Sequence, residues 1–147
     1  MDLKDKGDIT SISLRWLFKQ AAPNAWDLNH VELANLLSIK EDSVKILEND
    51  LALGLPVELT EDTHIRLGML LSIYKGIHKI SPRGQENAFF TNPNSGNFLN
   101  GLSIKGLLVK EPTTDAMDKV IVWLKSRDVL YGSKNGSSIC TKVLAVP

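Results

Sequence analysis

TEDTHIRLGMLLSIYKGIHKI, residues 60–80, is the stretch that decides the fold class. Ile65, Met69, Leu70, Ile73, Ile77 and Ile80 recur at helical spacing, which gathers apolar side chains on one flank of a helix. Thr60 places a hydroxyl oxygen where it can accept from a free first-turn amide, so the helix starts at about Glu61 and runs to Ile80. Ser81-Pro82 and Gly84 end it, because proline disfavours helix at the residue before it. A helix with this apolar flank needs partners, and the segments on either side supply them.

Upstream, three shorter helices are expected. From Ser11, the apolar positions Ile12, Leu14, Leu17, Phe18 and Ala21 give a helix that Pro23 ends; residues 1–9 read as frayed, and Trp26 sits in the connection. Asn29 opens the next helix, and Glu32 three residues on completes a capping-box pattern in which each side chain satisfies the other's backbone amide. Val31, Leu33, Ala34, Leu36 and Leu37 supply its apolar face, and Ser38-Ile39-Lys40 breaks it. The third helix carries Val44, Ile46, Leu47, Leu51 and Leu53, and stops at Gly54, a left-handed cap, with Pro56 just beyond.

Downstream, a short helix covers about Gln85 to Phe90. Asn92 to Gly101 is loop-like, dense in Asn, Gly, Ser and Pro. Ser103 caps a short helix through Val109, and Pro112 leads into a last helix, about Thr114 to Leu130, with Met117, Val120, Ile121 and Leu124 inward. From Gly132 the composition turns linker-like. Ile139, Thr141, Val143 and Ala145 then alternate with Cys140, Lys142, Leu144 and Val146, which predicts a short C-terminal strand or an extended peptide. As a chain end the tail reads as disordered; as an apolar peptide it reads as a strand added to a partner. The fold class is therefore all-α, with a short C-terminal strand, divided at 10–80, 81–130 and a tail at 131–147.

Seventeen basic residues balance seventeen acidic ones, so the chain has no long-range pull toward nucleic acid or anionic lipid. Cys140 is the only cysteine, which rules out an internal disulfide and fits a reduced, cytoplasmic setting. The polar start, Met1 to Asp8, is followed by no apolar h-region of a signal peptide, and no apolar run is long enough to span a membrane.

Residues His30 to Asn49 match the spacing of a helix-turn-helix, with small Ala34 at the helix approach and Val44 and Leu47 on the inner face of the second helix. Many such units carry glycine where this chain has Ser38. A DNA reader needs donors on that second helix. Lys40, Ser43 and Lys45 are the candidates here, set among Glu41, Asp42, Glu48 and Asp50, which repel a polyanion. The hairpin reads either as a DNA-binding element or as a structural pair of helices. Arg15, Lys19 and Arg66 are further basic residues from which a patch could be built.

The order from Ala88 to Arg127 resembles the toxin-binding domain of antitoxins of the Xre/MbcA/ParS type. In that family a short helix ends in an aromatic and a bulky apolar residue, followed two positions on by Pro-Asn; Phe89-Phe90-Thr91-Asn92-Pro93-Asn94 fits, with Phe89 where tryptophan is commoner. A loop with an aromatic or leucine and a glycine is matched by Phe98 and Gly101. At the Ser/Thr-Pro helix start this chain has Ser103-Ile104, which departs from the pattern by isoleucine for proline, and the closing Val-x-x-apolar-Leu is matched by Val120 to Leu124. The resemblance spans roughly residues 30 to 128, with an Xre-like helix-turn-helix upstream. It implies a non-enzymatic antitoxin that binds and neutralises a cognate toxin, often of the RES-domain kind that consumes NAD. It further implies a homodimer that binds its own operator DNA and represses its operon. Asn92, Pro93, Asn94, Phe98, Gly101 and Ser103 become the candidate partner-binding residues. The alternative is a helix-turn-helix transcriptional regulator with no toxin partner.

The aromatics Phe89, Phe90, Phe98 and Trp123 read first as core and second as exposed anchors for a partner. His30, His64 and His78 form no paired spacing of the kind metal sites use, so no metal or cofactor is expected. Cys140 has no neighbouring base, Ser137-Ser138 have no nucleophile-elbow context, and Asp42, Glu61 and Asp62 read as helix-start charges. The expectation is binding, not catalysis.

Overall fold

The structure, a computed structural model, describes residues 3–93, 99 and 101–131, with side chains described for 9–93, 99 and 101–128. The protein is all-α. Seven helices occupy the described residues: α1 (Leu3–Gln20), α2 (His30–Leu37), α3 (Glu41–Ala52), α4 (Glu61–Ile80), α5 (Glu86–Thr91), α6 (Ile104–Lys110) and α7 (Thr114–Tyr131). The strand expected after Gly132 lies outside the described residues.

The helix starts follow local chemistry. Asn29 accepts from the Glu32 amide at 2.8 Å, and Glu32 Oε1 accepts from the Asn29 amide at 3.0 Å. Thr60 Oγ1 accepts from the Thr63 amide at 3.2 Å, and Ser103 Oγ from the Gly106 amide at 2.8 Å. Thr113 does the same for α7, accepting from Ala116 at 3.1 Å. Each cap satisfies an amide that has no partner inside its helix.

Two expectations are corrected. Helix α1 begins at Leu3, well before Ser11; apolar periodicity does not register a helix start whose sequence is mostly polar. Ile12, Val31, Ile46, Leu53 and Ile65 are exposed although helical spacing drew them into apolar faces. An apolar stripe is about 100° wide, and residues one position off its axis fall outside it.

The turn between α2 and α3 places Ser38 in the left-handed region, φ 60° and ψ 45°. That conformation costs a side-chain-bearing residue roughly 1–2 kcal/mol, while glycine adopts it freely. Ser38→Gly is therefore expected to raise stability by about 0.5–1 kcal/mol, after allowance for the extra freedom glycine gives the unfolded chain. A urea midpoint that stays put or falls would contradict this account of the turn.

One core joins residues on both sides of position 80, from Leu14 and Leu17 of α1 to Met117, Val120 and Leu124 of α7. At its centre Trp26, 1 % exposed, stacks on Phe90, 0 % exposed, with ring centroids 4.0 Å apart and planes 9° from parallel. Trp16 meets Trp26 and Tyr74 edge-on. Helices α4 and α7 run side by side in the same direction. Arg66, early in α4, donates to the Pro112 carbonyl just ahead of α7, and Gly76 farther along meets Leu124. A Cβ at Gly76 would lie 3.1 Å from Leu124 Cδ1, so glycine sets how closely the two helices approach.

Long-range hydrogen bonds tie the connections to this frame. Gln20 Nε2 donates to Asn87 Oδ1 at 2.7 Å, joining α1 to α5. Lys105 Nζ of α6 donates to the Asp27 carbonyl at 2.6 Å. Thr63, buried in α4, donates its hydroxyl to the Leu37 carbonyl at the end of α2. Arg66 donates to the Leu36 and Pro112 carbonyls and to the Asp62 carboxylate. It serves as a bracket between α2, α4 and the α6–α7 turn, and only 13 % of its side chain is exposed, which leaves it little to offer a basic surface patch.

Candidate functional site

The segment that follows α5 is built from both of its ends. Phe90 fixes α5 in the core, and Asn92 closes the helix by donating its amide to the Ala88 carbonyl at 2.8 Å. Pro93 then pairs with Ser103, the cap of α6, as an isolated antiparallel bridge. Leu99 is fully buried in the core. Leu102 donates its amide to the Leu99 carbonyl at 2.9 Å, and Gly101 between them takes φ +82°, a conformation that favours glycine.

Of the residues expected to meet a partner, Asn92, Pro93 and Gly101 are exposed side by side with this bridge. Ser103 is half-buried and its hydroxyl oxygen is engaged as the cap of α6. Asn94 and Phe98 lie outside the described residues. Leu99 carries no sign in the sequence, because an apolar residue in a loop has no periodicity to mark it as buried.

Beside this loop lies a second feature. Phe89 and Trp123 are each partly buried, with ring centroids 6.1 Å apart. The Arg127 guanidinium stands over the Trp123 ring, 5.0 Å from its centroid, within the range of cation–π attraction. Phe89 and Phe90 thus divide the two readings given for the aromatics: Phe90 is core, whereas Phe89 and Trp123 form a partly open edge.

The α2–α3 hairpin presents different chemistry. Lys40 and Lys45 are exposed and Ser43 is half-buried, but Glu41, Asp42, Glu48 and Asn49 share the exposed surface of α3. His30 Nε2 lies 3.1 Å from Glu48 Oε1. From Asp27 to Asp62 the chain carries nine acidic residues against Lys40 and Lys45 alone, so the neutral total hides an acidic stretch that runs from the hairpin into the start of α4. A polyanion meets net repulsion there.

Below α3 opens a groove of about 520 Å³, between α3, the α3–α4 connection and the start of α4. Sequence reading gave no hint of it, because Val57 and Leu59 sit in a segment marked only by helix-stopping residues.

Among the described residues, no three His, Cys, Asp or Glu side chains gather so as to hold a metal ion, and no helix is long and apolar enough to cross a membrane. Compared with protein families, curated proteins and solved structures, the chain matches none.

Proposed function

We propose that the protein is a non-enzymatic, antitoxin-like binding protein that neutralises a cognate toxin in the cytoplasm, acting as a homodimer. A toxin of the RES-domain, NAD-consuming kind is the partner class that the resemblance of residues 88–127 implies. The observation that carries this reading is the bridged loop. Phe90 and Leu99 are buried in the core, and the Pro93–Ser103 bridge joins Pro93 to the cap of α6. A bridge fixed to a packed core, with Asn92, Pro93 and Gly101 at the surface, suits partner recognition, since groups held on rigid elements carry much of protein binding. The Trp123–Arg127 pair supplies the aromatic and guanidinium chemistry that dominates interface energetics.

A transcriptional regulator without a toxin is the alternative, with Lys40, Ser43 and Lys45 as its DNA contacts. The carboxylates around them weigh against it.

Co-expression with the product of the adjacent gene tests the proposal. The expected result is a complex that survives size-exclusion chromatography, together with relief of that product's toxicity. Pro93→Ala combined with Gly101→Val should weaken the complex at least tenfold while the circular dichroism spectrum stays helical. A neighbour that is harmless alone and does not co-purify would remove the antitoxin reading.

A further inference from the structure

The groove under α3 stands apart from the bridged loop and shares none of its residues. Ile39, Ile46, Val57 and Leu59 give it an apolar lining, and Asp50 and Glu58 are the charged groups in its wall; no Lys, Arg or His lines it. Its size falls within the range of sites that take a ligand or an inserted side chain. Ile46 is 59 % exposed, and Leu53, just past the end of α3, is 65 % exposed, with Leu55 beyond at 47 %. Large aliphatic side chains left in water beside a groove mark a surface for protein contact, because their burial is favourable only once a partner arrives.

The same positions argue against nucleic acid. On a DNA-reading helix the outward residues donate hydrogen bonds to phosphates and base edges. Here the donors Lys45 and Asn49 are outnumbered by the carboxylates of Glu41, Asp42 and Glu48 and the aliphatic Ile46. The chemistry that complements both is a segment bearing aliphatic side chains on one side and lysine or arginine beside them.

We propose that the α3–α4 groove is a docking site for a basic, amphipathic segment of a partner protein. The aliphatic side chains of that segment enter between Ile46 and Val57, and its cations meet Asp50 and Glu58. Charge complementarity selects this occupant: the groove lies in the stretch that holds the chain's acidic excess, which basic residues outside it offset. The inference does not depend on the toxin reading.

The probe is a fluorescein-labelled synthetic helix of leucine and lysine with leucines at i, i+3 and i+4, followed by anisotropy; its leucine–glutamate counterpart is the control. The basic peptide should bind and the acidic one should not. Ile46→Ser, a change at an exposed position that leaves net charge unaltered, should weaken binding about tenfold, the loss of one buried aliphatic side chain. Glu58→Lys should weaken it about fivefold or more, whereas Glu111→Lys, the same charge change on exposed surface outside the groove, should leave it within about twofold. Equal losses from Glu58→Lys and Glu111→Lys, or no loss from Ile46→Ser, would reduce the binding to unspecific charge attraction and overturn the proposal. A dimer in sedimentation that Ile46→Ser dissociates would overturn it too, by assigning the groove to a second copy of this chain.

Discussion

Phe90→Ala is expected to lower stability by about 3–5 kcal/mol, read as a fall in the urea midpoint followed by tryptophan fluorescence. Phe90 is fully buried, and its ring lies flat on Trp26 at 4.0 Å. Truncation removes the transfer energy of the ring and leaves a cavity that Trp26 cannot fill, because edge-on contacts with Trp16 and Tyr74 hold Trp26 in place. Marginally stable domains have only about 5–15 kcal/mol in total, so the variant should lie near the limit of folding. Phe90→Leu keeps most of the volume and should cost less than half as much. If the two variants lose the same amount, the stack and the packing around it are not what holds α5 in place. The expectation reaches function as well, since α5 carries the chain into the bridged loop.

Arg66→Met should cost about 2–4 kcal/mol. The substitution keeps an unbranched side chain of similar reach and removes the guanidinium that donates to the Leu36 carbonyl at 3.2 Å and to the Pro112 carbonyl at 2.9 Å. Hydrogen bonds from a charged donor contribute about 1.5–3 kcal/mol each, and the carbonyls left behind are partly shielded from water. The Asp62 contact adds little, because that carboxylate is 56 % exposed and solvent screens it. Arg66→Lys is the sharper comparison: a single ammonium lacks the planar fork that meets three acceptors at once, so lysine should recover less than half of the loss. Full recovery by lysine would show that charge alone, not the bracket, is what matters.

The two positions differ in how far the sequence disclosed them. Caps were legible: Asn29 with Glu32, Thr60 and Ser103 act over three residues, and the chemistry of that contact is written in the chain. The long helix, its terminators and the inward side of α7 at Met117, Val120 and Leu124 were legible from period alone. Arg66 was not, since its partners lie 30 and 46 residues away and a helical arginine otherwise reads as solvated surface or as part of a basic patch. Ile46 and Leu53 were misplaced for the converse reason. Periodicity says that apolar residues recur, not whether a neighbour comes to cover each one. In the candidate site, Pro93 and Gly101 were visible as turn chemistry, but the Pro93–Ser103 bridge and the burial of Leu99 arise only when the chain is placed in space. The acidic groove combines two separate segments, and neither is distinctive by itself.

The same-direction pairing of α4 and α7 also sets the order in which a nascent chain can mature. The hairpin contact between His30 and Glu48 spans 18 residues, whereas that between Arg66 and Pro112 spans 46. Closing the longer loop costs only roughly 0.8 kcal/mol more, so the thermodynamic burden is small. The delay comes from synthesis. At bacterial or eukaryotic elongation speeds, those 46 residues take roughly 2–9 s to appear. Through that interval the Gly76 side of α4 has left the ribosome with nothing to lie against, and it is the surface a chaperone would meet first.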